Sequence, residues 1–524
     1  MNLTKEYILS CYDKTKRLAK KSFEKGRYNR SLKYINIAAR IAYQFNWIYR
    51  DDDLEELLAN ISKQTISKRN HYTPIENRYV LYVASMIDNR GEIQQYLRAL
   101  IACEGELLVI VEKYGKEAAA TIAEIKAYPK AKIYALQGDE TDVESNAQKL
   151  YDKIVNFRPS KLFMHLRPES GFAITVFDAL PEEIINYQIN LTDHAFWLGC
   201  KCLDYIFEFR PYGCTVSQEK RKIDKDKILL LPYYPILNHR DFQGFPSSCT
   251  ADKIILFSGG ELYKIYGGNG LYFKIVKHIL DENPQAILLY AGDGDTGGVN
   301  AFIAENKYEN RFILLGFRQD INEVFKHCDI YLCTYPSAGG LMCQYAAVNG
   351  KPILAYNEPK ARSKFIEDLI CVNANVQLTF TDPKRLTEEA GRLITDKTYR
   401  KKKGAELQHA VMTQEQFERE FKSIINSNKN RRQYEHQNID YDAFFARYLE
   451  LENEHTDTFK LLIIRKFKFA TLKYFPRMTV WFIVYMLSGK GFKFVSMVHR
   501  IYVKRQRVQI RHQKESRSFL AQTI

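Results

Sequence analysis

Apolar and polar positions change their spacing along the chain near residue 70. Before that point, apolar residues such as Leu32, Ile35 and Ala38 recur at helical spacing, and Gly26 separates two predicted helices. From about residue 78 onward, short continuous apolar runs alternate with helical stretches. The pattern therefore predicts a helical segment over residues 1–70, followed by an α/β region.

The first α/β region is predicted over residues 71–240. Its candidate strands are YVLYVAS (79–85), ELLVIVE (106–112), KIYALQ (132–137), KLFMHL (161–166), INYQIN (185–190), DYIFEF (204–209) and ILLLPY (228–233). Apolar runs that alternate with helices are typical of a parallel sheet with helices on both faces. We expect this region to be one domain.

After a loop-like stretch at 238–253, the same alternation begins again. The strands predicted here are KIILFSGG (253–260), AILLYAGDG (286–294), FILLGF (312–317), IYLCTYP (330–336), KPILAY (351–356) and LICVNA (369–374). We predict a second α/β domain over 250–405 and closing helices over 406–455. The fold class is thus α/β, with two tandem doubly wound, Rossmann-like domains. Ligands of such sheets bind at the carboxyl ends of the strands, so the cleft between the domains is the expected active site.

The N-terminal stretch 24–45, EKGRYNRSLKYINIAARIAYQF, loosely resembles a helical-hairpin repeat of the tetratricopeptide kind. The sequence contains one copy, whereas a solenoid needs several. A helical cap on the first α/β domain is therefore the preferred interpretation.

The C-terminal residues 456–524 are unlike the rest of the chain. Fourteen Lys and Arg and no Asp or Glu lie between residues 459 and 514, so this segment holds nearly all of the net charge of +15. Aromatic and aliphatic residues alternate with these cations, which is typical of helices that lie on an anionic membrane surface. Nucleic acid is the rival partner, but large aliphatic side chains do not suit it, and a packed pair of accessory helices is the other alternative.

No stretch of the sequence reads as a secretory signal or as a run long enough to span a membrane. The ten cysteines are scattered, and reduced thiols are expected. These observations predict a cytoplasmic protein that associates peripherally with the inner face of a membrane.

The stretch YPSAGGLMCQYAAVNGKPILAY (335–356) suggests a ligand site. A buried strand leads into a helix whose first turn contains Gly339 and Gly340, and Gly350 ends that helix. Glycine allows a ligand to approach the backbone, and the free N–H groups of a first turn bind phosphate. A tight connection that needs glycine only for packing is the alternative.

Three further strand ends favour the ligand interpretation. Gly259, Gly260 and Lys264 follow one strand, Gly292 follows the next, and Gly316 and Phe317 follow a third. A lysine at such an edge meets a diphosphate as a point charge.

The order strand-GG-x3-K, strand-GDG, LLGF-x2-DI-x2-VF-x2-CDIYL and YPSAGG…AAVNGKPIL resembles the donor half of GT-B glycosyltransferases of the family 4 (glycosyl transferases group 1) type, over about 253–375. The resemblance implies a nucleotide-diphosphate sugar as donor. It also implies that the lysine and the glycine-rich helix start hold the diphosphate, while the LGF turn meets the base. The donor-binding residues expected on this basis are Gly259, Gly260, Lys264, Gly292, Gly316, Phe317, Ser337, Gly339, Gly340, Gln344 and Tyr345.

The chain departs from that family at one pattern. The family often has two carboxylates seven positions apart around the glycine-rich helix, the second bonding the donor ribose, and Ala338 and Tyr345 occupy these positions here. Gln344 is expected to replace the ribose contact. Whether the reaction retains or inverts the anomeric configuration stays open.

Residues 292–297 also match G-x-G-x-x-G after a strand, as in dinucleotide folds. The next strand ends LLGFR and offers no ribose-binding acid, which argues against that cofactor. Asp293 and Asp295 form a D-x-D that holds a metal in another glycosyltransferase architecture, but two tandem parallel sheets do not suit it. We expect neither metal nor cofactor.

For the acceptor, the candidate stretch is INLTDHAFWLG (189–199), directly after a strand. A histidine oriented by a carboxylate is a suitable general base for a hydroxyl group, so Asp193 and His194 are the predicted catalytic residues. A loop histidine that caps the next helix is the alternative, although the stretch also resembles the catalytic loop of some inverting GT-B enzymes. The acceptor candidates are Trp197, which is placed to stack on a sugar, and His165 and Arg167 at another strand end.

Together these observations predict a metal-independent glycosyltransferase that acts on a lipid-linked or growing glycan in the synthesis of capsule, lipopolysaccharide or exopolysaccharide. A polyol-phosphate transferase on the same frame and a non-catalytic scaffold are the alternatives. No nucleic-acid partner is expected. The sequence leaves the sugar, the base, the acceptor and the oligomeric state open.

Overall fold

A computed structural model gives the structure of the chain, which divides into two compact units, residues 1–456 and residues 457–524. The structure describes residues 3–88, 92–115, 117–136, 142–237, 240–359 and 366–487. The basic tail beyond residue 487 lies outside the described residues.

Three helices open the chain, α1 (Lys5–Phe23), α2 (Tyr28–Phe45) and α3 (Asp52–Thr65). Side chains cap two of them, because Thr4 accepts the N–H of Tyr7 and Asp51 accepts the N–H of Leu54. Gly26 turns the chain between the first two helices with φ of +64°. The predicted helical segment is confirmed.

The first sheet has seven parallel strands in the order β3-β2-β1-β4-β5-β6-β7. They are β1 (Ile75–Val83), β2 (Glu106–Val111), β3 (Ala131–Ala135), β4 (Pro159–His165), β5 (Ile185–Ile189), β6 (Tyr205–Glu208) and β7 (Ile228–Leu230). The helices between them are α4 (Ile93–Ala102), α5 (Ala119–Ala127), α6 (Val143–Phe157), α7 (Gly171–Phe177) and α8 (Pro211–Glu219). Helices cover both faces, which is why the strands are continuous apolar runs.

The second sheet has six parallel strands in the order β10-β9-β8-β11-β12-β13. They are β8 (Ile254–Gly259), β9 (Ala286–Ala291), β10 (Phe312–Gly316), β11 (Ile330–Leu332), β12 (Ile353–Tyr356) and β13 (Thr379–Phe380). The helices are α9 (Leu271–Glu282), α10 (Gly297–Asn306), α11 (Ile321–His327), α12 (Gly340–Val348), α13 (Glu367–Ile370) and α14 (Pro383–Thr395). The strand order reverses between β8 and β11, and that is where such sheets bind ligands.

One predicted strand is wrong. The run LICVNA at 369–374 begins inside helix α13, and the last strand of the sheet is β13, further along the chain. The carboxylate of Glu367 at the start of α13 accepts the N–H groups of Leu378 and Thr379, which ties the helix to the segment that enters β13. A short apolar run fits a buried helix as well as a strand, so periodicity could not decide.

Helices α15 (Lys397–Ala410), α16 (Gln414–Ser427) and α17 (Tyr441–Glu454) follow the second sheet. Helix α16 returns to the first domain, where Phe417 and Phe421 pack edge-on against Tyr96. Helix α17 reaches the N-terminal helices, where Phe445 packs against Phe45 and Trp47. The last helices therefore join the two domains and the helical segment into one unit.

The second unit begins with α18 (Thr458–Phe467), α19 (Ala470–Tyr474) and α20 (Thr479–Leu487). Phe467 packs against Phe475, and the ammonium of Lys460 lies over the ring of Trp481. Several large apolar side chains stay exposed here: Phe469, Leu472, Val480, Ile483, Val484 and Leu487. No helix in the described part of the chain has both the length and the apolarity that crossing a membrane requires.

Candidate active site

The carboxyl ends of both sheets border one cleft, which contains two neighbouring cavities. We call the larger one, of about 580 Å³, the first cavity. Residues of both domains line it, among them Asp88, Glu117, Gly260, Lys264, Gly292, Phe317, Gly339, Gly340 and Tyr345. Most of the predicted donor-binding residues therefore surround one space.

Lys264 is placed by a single turn of 3-10 helix directly after β8. Its backbone carbonyl accepts the N–H of Ser337, which fixes the turn beside the start of α12. Among the described residues its ammonium has no hydrogen bond or ion pair, and it lines both cavities. A side chain at Gly260, where φ is +134°, would meet the Lys264 stem. Glycine at that position gives the lysine its path.

The amino end of α12 faces the first cavity. Gly339 precedes the helix, Gly340 begins it, and both line the cavity. The free N–H groups of this first turn and the helix dipole make the position favourable for an anion. At the other end, Gly350 has φ of +64° and ends the helix, as the sequence predicts.

The glycines at the other strand ends serve close packing of backbone. A β-carbon at Gly292 would overlap the carbonyl oxygen of Gly260, so the ends of β8 and β9 can approach only because Gly292 has no side chain. Gly316 has φ of +65° and accepts the N–H of Gly292, while the next residue, Phe317, lines the first cavity. Gly259 and Gly316 do not line either cavity. Their predicted contact with the donor is therefore not supported, since Gly259 is the last residue of β8 and Gly316 takes a left-handed φ at the end of β10.

Residues 344 and 345 differ in their surroundings. Tyr345 lines the first cavity and donates its hydroxyl hydrogen to the carbonyl of Ile236. Gln344 is fully buried and donates to the carbonyl of Tyr233, so it faces away from both cavities. The expectation that Gln344 contacts the donor is therefore wrong, because its side chain is fully buried and lines neither cavity.

The second cavity, of about 270 Å³, adjoins the first at Tyr263, Lys264 and Gly340. His194 and Arg210 line it from the first domain, and the amino-terminal half of α17 closes it. From the second domain, Ser337 and Ala338 contribute to its wall. The predicted donor residue Ser337 and the predicted base His194 thus border the same space.

Asp193 is fully buried and paired with Arg210, whose Nε and Nη2 donate to its two carboxylate oxygens at 2.5 and 3.0 Å. Burial alone would raise the pKa of Asp193, but the Arg210 guanidinium and His194 outweigh it and hold that pKa well below its usual range. Asp193 therefore stays ionised and takes up no proton near neutral pH. Its place beside the imidazole is that of the carboxylate expected from the sequence to orient His194.

His194 is the predicted acceptor-side residue that does line a cavity. Its Nδ1 lies 3.3 Å from the Asp193 carboxylate, and about a third of the side chain is exposed. The amide of Asn46, oriented to satisfy its neighbours, donates to the His194 carbonyl. The buried guanidinium of Arg221 donates to the carbonyls of Asp193 and Ala195 on either side. His194 is thus held in place through its ring by Asp193 and through the backbone around it by Asn46 and Arg221.

Arg210, Arg221 and Asn46 were missed in the sequence. Arg210 and Arg221 lie 17 and 28 residues beyond Asp193, and Asn46 belongs to the helical segment. A buried arginine is rarely found without a partner, but the sequence alone does not identify the buried arginines.

The remaining acceptor candidates are not on the cavity walls. Trp197 is 2% exposed and packs with its ring 5.1 Å from the Arg221 guanidinium, so it cannot stack on a sugar. His165 is 4% exposed, with Glu92 as its nearest anion at 3.8 Å. Arg167 donates to Glu112 at 2.5 Å. The predictions for Trp197 and His165 are wrong because tertiary packing covers these side chains, and Arg167, although partly exposed, is paired with Glu112 and lines neither cavity.

The motif at 292–297 forms a helix start. Asp295 accepts the N–H of Gly297, the first residue of α10, and Tyr266 donates its hydroxyl hydrogen to the Asp295 carbonyl. Asp293 lines the first cavity. Within the described ranges, no group of three or more His, Cys, Asp or Glu side chains is arranged to hold a metal ion.

Residues 252–396 match the family model described as Glycosyl transferases group 1. The matched range contains the whole second sheet, Lys264 and the glycines of α12. No curated protein matches the chain. The resemblance inferred from the motifs of this domain is confirmed.

Two solved structures show the same fold. One is a mutant O-GlcNAc transferase from Thermobaculum terrenum, 13% identical, aligned over 79% of this chain and 83% of that chain with a TM-score of 0.50. The other is a glycosyltransferase from Rickettsia africae, 14% identical, aligned over 68% of this chain and 99% of that chain with a TM-score of 0.50. The predicted fold of two tandem α/β domains is confirmed as GT-B.

Proposed function

We propose that this protein is a GT-B glycosyltransferase that moves a sugar from a nucleoside-diphosphate sugar to a lipid-linked or growing glycan. Cell-surface polysaccharide synthesis is the proposed setting. The observation that supports the activity best is the first cavity, where the cation of Lys264 and the amino end of α12 share one wall. A diphosphate is the ligand that such a pair of groups favours.

In this proposal the donor lies along the second sheet. Phe317, which is half exposed on the cavity wall, packs against the base, and Tyr345 of α12 lines the same cavity. The diphosphate lies between the Lys264 ammonium and the first N–H groups of α12. The lysine then neutralises the charge that develops on the leaving diphosphate, so that the reaction needs neither a metal nor a further cofactor.

His194 acts on the acceptor. Its free ring nitrogen accepts the proton of the acceptor hydroxyl, while Asp193 receives the hydrogen bond of Nδ1 and stabilises the imidazolium that forms. The acceptor oxygen bonds to the anomeric carbon as the bond from that carbon to the diphosphate breaks. Arg210 keeps Asp193 ionised throughout.

A membrane surface is the proposed place of this reaction, on the cytoplasmic side. The helices of residues 457–487 expose Val480 by 69% and Leu487 by 78%, next to the cations of the segment. Apolar side chains that enter the acyl region and cations that meet anionic headgroups both favour such binding, at about 1 kcal/mol for each cation. A lipid-linked acceptor would be available there, and no nucleic acid is required.

One observation favours a second candidate, a non-catalytic scaffold. Ala338 and Tyr345 stand where the family pattern has carboxylates, and a chain that lost its chemistry could lose them. A CDP-linked polyol-phosphate donor on the same frame is a third candidate. Nucleotide binding separates the three.

The test is a thermal-shift panel of the full-length protein with UDP, GDP, CDP and CMP, and with UDP- and GDP-sugars. We expect one nucleoside diphosphate to stabilise the protein and Lys264→Ala to weaken its binding by about 1.5 to 3 kcal/mol, the range of a charge-assisted contact. Lys274→Ala, an exposed lysine on α9, is the matched control. Selective stabilisation by CDP would favour the polyol-phosphate donor, and no shift with any nucleotide would favour the scaffold.

Membrane binding is tested on the full chain with vesicles. Val480→Asp combined with Val484→Asp places two charges on one exposed side of α20, and we expect sedimentation with anionic vesicles to fall at least tenfold. Leu237→Asp, at an exposed leucine of the first unit, should leave it unchanged. If the double variant still sediments with the vesicles as the unaltered chain does, residues 457–487 are not the contact.

A further inference from the structure

The second cavity begins where the proposed diphosphate site ends. Tyr263, Lys264 and Gly340 belong to the walls of both cavities. A group attached to the far phosphate of a donor held by Lys264 would therefore project into the second cavity. Its volume of about 270 Å³ is slightly below the usual range for a whole drug-sized ligand, about 300 to 1,000 Å³, and suits one ring.

The second cavity has a carboxylate on its wall, and this carboxylate follows strand β12. Ala338, one of the two positions where the family pattern has a carboxylate, lies in the wall of the second cavity. Glu358, two residues after the end of β12, lines the same cavity. The chain thus lacks the carboxylate on the loop before α12 and has one on the neighbouring strand end.

Two contacts hold Glu358, and both involve the same carboxylate oxygen, Oε1. The hydroxyl of Tyr335 donates to its Oε1 at 2.6 Å, and Nη2 of Arg447 lies 3.9 Å from the same oxygen. No described residue donates to its Oε2. Arg447 reaches the cavity from α17 and donates through Nη1 to the carbonyl of Pro336. A carboxylate oxygen and a guanidinium edge together can accept from and donate to neighbouring hydroxyl groups.

The other walls suit the apolar face of a sugar ring. Tyr335 and Tyr356 meet edge to face with ring centroids 4.9 Å apart, and Phe444 of α17 also lines the cavity. Aromatic rings provide area for the C–H groups of a sugar, and the polar groups set its orientation.

The arginines around the cavity already have carboxylate partners. Arg210 is paired with Asp193, and Arg447 lies beside Glu358. Asp440 accepts the N–H of Ala443 and caps α17. With Lys264 assigned to the diphosphate, the arginines of the described wall are both matched by carboxylates. An uncharged polyhydroxylated group fits this balance better than a further phosphate or an acidic sugar.

We infer that the second cavity receives the transferred sugar as a neutral hexose or N-acetylhexosamine, and that Glu358 and Arg447 select it through its hydroxyl groups. This inference rests on the proposed function. Glu358 supplies the carboxylate that is missing at Ala338, and α17 contributes directly to donor choice. Donor specificity is thereby divided between the base site in the first cavity and a sugar site built partly outside the matched domain.

The test measures the nucleotide and the sugar separately. Titration calorimetry of the full-length protein gives Kd for UDP, GDP and CDP, and then for UDP-glucose, UDP-N-acetylglucosamine and GDP-mannose. We expect Glu358→Gln and Arg447→Gln to bind the nucleoside diphosphate within twofold of the unaltered protein. Both should bind the preferred nucleotide sugar at least tenfold more weakly. Glu56→Gln and Arg17→Gln, at exposed positions of α3 and α1, are the matched controls.

A third variant tests the same space without changing charge. Ala338 is exposed on the cavity wall, so Ala338→Phe should fill the cavity, leave the core intact and exclude the sugar while the nucleoside diphosphate still binds. If the variants bind nucleotide and nucleotide sugar as the unaltered chain does, or lose both equally, the second cavity is not the sugar site. If the unaltered chain binds no nucleotide, the proposed function itself fails.

Discussion

The two walls of the cleft differ in how the chain builds them. On the wall of the second domain, the predicted residues Gly260, Lys264, Gly339, Gly340 and Tyr345 all line the first cavity. On the wall of the first domain, most of the predicted acceptor residues are covered by packing, and His194 is the one that reaches a cavity. Strand-end motifs thus predicted the cavity residues of the second domain well and those of the first domain poorly.

The difference follows from what each wall presents to a ligand. The donor wall consists largely of backbone, because glycines and a helix start expose N–H groups, and a glycine marks such a position in the sequence directly. The acceptor wall consists of side chains, and their direction depends on partners elsewhere in the chain. Asp193 points inward because Arg210 pairs with it, and Trp197 does so because Arg221 packs on it.

The largest effect is expected for His194→Gln, the sharpest test of the acceptor wall. Loss of a positioned general base should lower the turnover number by about 10² to 10⁴, with donor affinity unchanged because the donor wall is intact. Steady-state kinetics with the donor found by the nucleotide panel measure this. His278→Gln, an exposed histidine on α9, is the control, and an unchanged turnover number would assign the base elsewhere.

Asp193→Asn should affect stability as well as activity. It would leave the mostly buried Arg210 guanidinium without its anion, and breaking a buried ion pair typically costs about 3 to 5 kcal/mol in the free energy of unfolding. Urea denaturation measures that loss, with the exposed Asp226→Asn as control. A stable protein with lost activity would mean that Asp193 serves the chemistry more than the fold.

On the donor wall, Gly292→Ala should break the contact between two strand ends. Its β-carbon would overlap the Gly260 carbonyl oxygen, so the loops must separate, at a cost in unfolding free energy of about 3 kcal/mol, and nucleotide binding should weaken. Gly391→Ala is a matched change with open space around it inside α14, and it should stabilise by about 0.5 to 1 kcal/mol. Equal unfolding midpoints for the two variants would contradict this role of Gly292.

The smallest effect is expected for Glu55, a buried carboxylate that holds the loop after His194. Glu55 of α3 accepts the N–H groups of Gly199 and Cys200, and burial, opposed by these hydrogen bonds, raises its pKa to about 7. The folded chain therefore binds this proton more tightly than the unfolded chain, whose glutamate has its ordinary pKa of 4.5. The stabilisation is complete below about pH 4.5 and is lost as the pH rises through about 7.

Glu55→Gln keeps the accepting oxygen and removes this titration. The unfolding free energy of the variant minus that of the unaltered protein should therefore increase by on the order of 2 to 3 kcal/mol as the pH is raised from about 4.5 to 8. Urea denaturation at both pH values checks it, with the exposed Glu56→Gln as control. A difference between Glu55→Gln and the unaltered chain that does not vary with pH would mean that Glu55 does not change its protonation over this range.

Sequence patterns were sufficient for the fold and for about half of the site. Continuous apolar runs such as those of β1, β2 and β4 predicted a parallel sheet because both of its faces are covered by helices. The strand predicted at LICVNA was wrong because the apolar run is too short for its periodicity to distinguish a strand from a buried helix. Arg210, Arg221 and Asn46 could not be found in advance, because no local pattern marks a residue whose role is to hold a distant loop.

Helix α17 has two unlike attachments. On one side Phe445 packs against Phe45 and Trp47 of the N-terminal segment, and Asn453 of the same helix exchanges hydrogen bonds with the backbone of Leu3. On the other side it touches the second domain through polar contacts such as that of Arg447 with Pro336. Water replaces polar contacts at a lower cost than apolar ones. If the cleft opens to release its product, α17 will move with the first domain, and the contact between Arg447 and Pro336 will break.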